Sequence, residues 1–221
     1  MRVLASADLH GKHSVYEWLV RTAAEHRVDA VVLGGDLLGC PEGFSTPEQA
    51  QRHEARLISD CLNSAGLPVF YIMGNDDLVE LQSGSERLQS IHGRRLQLGQ
   101  WTFVGYQYSL PFMGGPFEKP EASIHLDVVA LEGLLDADTI FVSHSPALGI
   151  LDSGIADTQI GSSSLRDLLL RNTVRAHIHG HSHSDFGRQG LHFNVASAGR
   201  ERAMLLDLET MEHQIVQGSP S

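Results

Sequence analysis

The chain has 221 residues, a net charge of −11, 13 histidines and only two cysteines. With 42% hydrophobic and 19% charged residues it is neither disordered nor fibrous, and it is long enough to bury a core as one domain over residues 1–221. The acidic balance speaks against nucleic-acid partners, and Cys40 and Cys61 match neither a zinc nor a disulfide framework. The apolar stretch at the N-terminus is too short for a signal peptide, and no segment reaches the length of a membrane span, so a cytoplasmic protein without an anchor is expected.

The first apolar run, Arg2–Ala7, leads into Asp8 and His10. Val15, Leu19 and Ala23 then recur at helical spacing after Ser14. A second run, Ala30–Leu33, leads into Gly34, Gly35 and Asp36. Thr46 can cap a helix that has Pro47 at its first position and Gln49 three residues after the cap; this helix should run to about Ala65 and stop at Gly66. Val69–Met73 leads into Gly74, Asn75 and Asp76. Trp101–Gly105 reads as a strand, and Tyr106–Ser123, with three prolines and paired glycines, reads as a loop that selects substrate. Thr139–Val142 leads into Ser143 and His144, Ser162 or Ser163 can cap a helix through Leu170, and Ala176–Ile178 leads into Gly180, His181 and His183. His192–Ala196, Ala203–Asp207 and His213–Val216 resemble a meander or second sheet, which Trp101–Gly105 would join.

Strands alternating with helices give βαβ units, whose ligands gather at the carboxyl ends of the strands. Asp8, His10, Asp36, Asn75, His144, His181 and His183 all fall at such ends, too many metal-binding groups in one place to attribute to packing. Carboxylate, amide and imidazole together suit borderline to hard divalent ions, Mn2+ first, with Fe2+, Zn2+, Co2+ or Ni2+ as the others. Seven ligands exceed one tetrahedral site, and two ions sharing a carboxylate form a recurring device for phosphate-ester hydrolysis. The glycine pattern fits neither a dinucleotide fingerprint nor a P-loop.

Asp8-Leu9-His10, Gly35-Asp36, Gly74-Asn75-Asp76-Asp77, His144 and Gly180-His181-Ser182-His183, in that order, resemble the motifs D-x-H, G-D, G-N-H-(D/E), H and G-H-x-H of the calcineurin-like metallophosphoesterase superfamily. Ile91-His92-Gly93-Arg94 and the loop from Leu110 to Glu118 are more loosely similar to small prokaryotic phosphoesterases grouped as Icc-related. The resemblance spans Asp8 to His183. It implies an α/β fold, a four-layer αββα sandwich of mixed sheets with the metal site at the carboxyl ends of the strands. It also implies that Asp8, His10 and His183 hold one ion and Asn75, His144 and His181 the other, with Asp36 bridging. The implied activity is hydrolysis of a small phosphate ester by a hydroxide held between the ions. The alternative is a scaffold of the same fold that binds protein partners. A homo-oligomer is among the states open to it.

One motif departs from the pattern. Asp76 stands where the family carries a histidine beside the leaving group, so phosphodiesters are expected ahead of monoesters. Candidate catalytic residues are Asp76, Asp77 and His179, with His13 as another proton donor. Asp77 reads first as a carboxylate that fixes its loop and only then as a catalytic group, and His177 reads as a structural histidine.

Overall fold

The computed structural model describes residues 1–81 and 85–218. In the first sheet β1 (Arg2–Ser6), β2 (Ala30–Gly34), β3 (Val69–Ile72) and β4 (Leu88–Ser90) run parallel. The second contains β5 (Arg95–Leu98), β6 (Trp101–Tyr106), β7 (Thr139–Ser143), β8 (Ala176–His179), β9 (Gly187–Gln189) and β10 (His192–Asn194), in the order β5-β6-β7-β8-β10-β9. Two antiparallel strands, β11 (Arg202–Asp207) and β12 (His213–Gln217), return to the first sheet and complete the order β12-β11-β1-β2-β3-β4.

Side-chain alternation sets the layering, because successive residues of a strand face opposite sides. From β1, Val3 and Ala5 point between the sheets and meet Phe103, Ile140 and Ile178 of the second. Leu4 points the other way, onto Tyr16, Leu19 and Ile58 of α1 (His13–His26) and α2 (Pro47–Asn63). Ile124, Val128, Leu165 and Leu168, from α3 (Glu121–Leu131) and α4 (Ser163–Arg171), cover Val104 and Phe141 on the outer face of the second sheet. The result is an αββα stack with its deepest core between the sheets. Among the described residues no helix is long and apolar enough to cross a membrane.

Two of the expected caps are present: Thr46 Oγ1 accepts from the Gln49 N–H at 3.2 Å, and Ser162 Oγ accepts from the Leu165 N–H at 3.2 Å. The C-terminal strands differ from the sequence reading, because they divide between the sheets. Residues 192–194 pair in parallel with β8, whereas β11, buried along its centre, lies between β1 and β12. Helix α3 also begins where the long loop was expected to continue. Its apolar stripe is masked by Leu126 and Val129, which the fold leaves exposed, and it begins after Pro120 without a side-chain cap.

Phe70 and Phe103 meet across the sheets at 4.6 Å between ring centroids, both of them buried. Phe103→Ala should therefore cost about 3–5 kcal/mol, read as a lower urea midpoint at unchanged m-value.

Candidate metal centre

The carboxyl ends of the two sheets are joined through backbone hydrogen bonds. Asp8 N–H donates to Gly35 O at 2.8 Å, His10 N–H to Asp36 O at 3.0 Å, Ala7 N–H to Val195 O at 2.9 Å and Gly180 N–H to His144 O at 3.2 Å. The turns are tight enough to force left-handed backbone at Asp8, His10, Asp36 and His181, with φ of 56°, 49°, 51° and 69°. Asp and His tolerate that region better than bulkier residues, and the cost is borne where side chains must converge. Two glycines make room. A Cβ at Gly74 would collide with the Asp36 carboxylate and the His144 ring, and one at Gly180 would lie 2.5 Å from Asp8 Oδ2.

Three sets of donors result, each with its atoms within 4.8 Å of one another: Asp8, His10 and His183; Asp36, His144 and His181; and His10, Asp36 and Asp76. His183 Nε2 lies 3.1 Å from Asp8 Oδ1 and 3.5 Å from His10 Nε2. Asn75 joins the second set, its Oδ1 2.9 Å from His144 Nε2. All seven residues singled out as ligands thus meet in one crevice.

The His144 ring tests whether this crevice suits cations. Its Nδ1–H donates to Gly34 O at 2.9 Å, which leaves Nε2 facing two acceptor oxygens, Asn75 Oδ1 at 2.9 Å and Asp36 Oδ1 at 3.4 Å. Both oxygens therefore call for a positive partner at this nitrogen, either a proton on Nε2 or a cation in the proton's place. Burial alone would depress this imidazole, but the charge and hydrogen bond of Asp36 overcome burial and raise it to about 10. Burial would likewise raise Asp36, yet His144 holds it well below the usual carboxylate range. Burial and the positive His144 lower His181 to about 4, so its lone pair is free. The crevice calls for positive charge, and its mixed oxygen and nitrogen donors fit divalent ions.

The three candidate catalytic residues occupy different places. Asp76 is half-exposed, 3.5 Å from His10 Nδ1, with Oδ1 accepting from Asn75 Nδ2 at 2.8 Å. Burial and the neighbouring Asp36 raise its carboxyl. Asp77 is fully buried and accepts from the N–H groups of Leu37, Leu38 and Gly74 at 2.8–3.2 Å, so it ties the Asp36 turn to the Asn75 turn. His179 is fully buried as well: Nδ1 meets Gly180 O at 3.2 Å, and Nε2 has no hydrogen-bond partner among the described residues. His13 is exposed at the first turn of α1, and Arg200 and Cys40 are also exposed.

Sequence reading missed Gln51 and Glu54. Gln51 grips the Asn75 turn, donating to Asp76 O at 2.9 Å and accepting from Leu78 N–H at 2.6 Å, and Glu54 accepts from Gly39 N–H. A signal existed, since both lie on the buried stripe of α2 beside Ala50, Ala55 and Ile58, where polar groups need a reason. His192, which by sequence looks like an ordinary surface residue, has Nδ1 3.1 Å from Nδ1 of buried His177, whose Nε2 meets Ser143 Oγ at 2.8 Å.

A cleft of about 210 Å3 opens directly onto Asp36, Asn75, His181 and His183. The sequence model of the calcineurin-like phosphoesterases matches residues 1–185, which carry every one of these groups. The chain belongs to the calcineurin-like phosphoesterase family. Members of this phosphoesterase family work with a pair of divalent ions on phosphate esters, and the donor sets above are groups that could hold such ions in this chain. No curated protein sequence matches it. Solved structures show the fold: protein TT1561 of Thermus thermophilus superposes with a TM-score of 0.74 at 17% identity, over 98% of each chain. A dimetal phosphatase from Danio rerio gives a TM-score of 0.65 at 12% identity, over 99% of each chain.

Burial, then the neighbouring His179 and His192, depress His177 well below its ordinary 6.5, so the folded protein keeps it neutral. As pH falls through 6.5 the unfolded chain takes up a proton that the folded core refuses, and stability present above that value is lost. Urea midpoints of the metal-free phosphoesterase should fall on acidification, with a slope of up to about 1.4 kcal/mol per pH unit from this residue. His177→Phe should flatten the profile; an unchanged slope would show that another group controls it.

Proposed function

We propose that the chain is a phosphoesterase that uses two divalent ions, manganese first, and hydrolyses phosphodiesters ahead of monoesters. The observation that carries this reading is the His144 ring, whose Nδ1–H is committed to Gly34 O while Nε2 faces Asn75 Oδ1 and Asp36 Oδ1. Asp8, His10 and His183 would hold one ion, Asn75, His144 and His181 the other, and Asp36 both. The chemistry that such ions would supply there is positive charge for the phosphate oxygens and a lowered pKa for a coordinated water. Cys40 and Cys61, both free, fit a reducing cytoplasmic setting.

The chain's own residues orient and exclude. Gly34 O fixes the His144 tautomer, and the His181 N–H holds Asp8 in place, 3.2 and 3.0 Å from its two carboxylate oxygens. Asp77 holds the turns of Asp36 and Asn75 in register. Asp76, half-exposed, is the carboxylate of the cleft that a substrate's leaving group would meet at the mouth. A carboxylate there lacks the positive charge of an imidazolium, so esters whose leaving group departs without a proton should turn over best. Burial of His179 argues for a role in supporting the His181 strand end, with no contact to substrate.

Asp36→Ala should reduce bound metal, measured by elemental analysis, from about two ions per chain to one or fewer and lower phosphodiester kcat by about a thousandfold or more. Retention of both metal and activity would overturn the assignment. Asp76→His should raise kcat/KM for alkyl monoesters at least about tenfold while leaving aryl diesters less affected. Should no substrate respond, position 76 does not govern leaving-group range.

A further inference from the structure

The cleft over the donor sets has apolar lips that the fold does not cover. Phe112 on one side and Ile155 on the other are 60% and 81% exposed, and Ile160 completes that second wall. Both lips are anchored to the turns that carry the donors. The Glu118 carboxylate accepts from the N–H groups of Phe112, Met113 and Gly114 at 2.8–2.9 Å, and Gly115 packs on Asn75 O so closely that a Cβ there would come within 2.5 Å. Opposite, Ser153 N–H donates to Asp185 Oδ2 at 2.7 Å and Ser153 O accepts from Ser182 Oγ at 2.7 Å, which ties that loop to the turn bearing His181 and His183.

Charge and size restrict the occupant. Among the described residues no lysine or arginine lines the cleft, so negative charge beyond what bound cations neutralise would find no partner there. Polyphosphates and bisphosphates are disfavoured on that ground. The volume of about 210 Å3 lies below the range of pockets that enclose drug-sized ligands, and an apolar cavity of about 150 Å3 is enough for benzene. The phosphate would sit on the donor sets, and its organic group would lie between the lips.

We infer that the cleft selects singly charged phosphodiesters bearing one aromatic ring or an apolar group of that size, held between Phe112 and Ile155. The proposal rests on the two-ion phosphoesterase reading and names its substrate class. Methyl(phenyl)phosphinate and dimethylphosphinate, each singly charged like a phosphodiester and without an ester bond to cleave, separate the two ideas when titrated calorimetrically into the manganese-loaded protein. The phenyl compound should bind at least about tenfold more tightly, and the ratio should fall to near one in Phe112→Ser/Ile155→Ser. Phe112→Leu, which keeps apolar surface, should retain most of the preference. Equal affinities in the unaltered protein, or a preference that survives the double substitution, would overturn the proposal. A phenyl preference without turnover of any phosphate ester would support it and remove the hydrolase reading alone. Binding of neither phosphinate would overturn both.

Discussion

Burying Asp8, Asp36 and Asp77 in one crevice at the strand ends is the constraint on which the rest of the site depends. These residues are at most 2% exposed, and none is paired with lysine or arginine among the described residues. Uncompensated buried charge is among the costliest arrangements a protein can hold. The three carboxylates meet the cost differently. Asp77 is satisfied by backbone N–H groups and stays structural. Asp8 and Asp36 are met by imidazoles and single backbone donors, which leaves negative charge facing the cleft and a place for cations.

Such a crevice needs backbone that approaches closely from two sheets at once. The β1 end supplies Asp8 and His10, and the hydrogen bonds from Ala7 and to Asp8 stitch that end to residues 195–199 beyond β10. Gly74 and Gly180 clear the space in which carboxylate and imidazole meet, so their motifs mark volume as much as turn shape. Left-handed backbone at four of the donors is local strain, held in place by the packed sheets behind it. The sandwich supplies rigidity, and the turns spend part of it on convergence.

Position 76 and the two lips sit at the mouth of the cleft, in front of this rigid part. Asp76 is half-exposed at the mouth of the cleft, as is His183. Phe112 and Ile155 lie on connecting loops, where specificity can change without disturbing the donors behind them. On the proposed reading, a shared centre with separate walls would let specificity change while the donors stay fixed.

The donor residues, their order and the strand–helix alternation that brings them together were legible in the chain, because short apolar runs ending in Gly, Asp and His are local signals. The capped helices α2 and α4 were legible for the same reason. Other features depend on contacts between distant segments. The division of the C-terminal strands follows from which sheet edge each one meets, and α3 is recognisable only once Val104 and Phe141 give its Ile124–Val128 face a surface to cover. Gln51 and Glu54 became positioning groups only when α2 was laid against the Asn75 turn. Sequence by itself determined the chemistry available, since residue type sets what can bind a cation. Tertiary structure alone decided that His179 is sealed away, that Asp76 is open and that apolar walls flank the centre, because burial belongs to the packed chain as a whole.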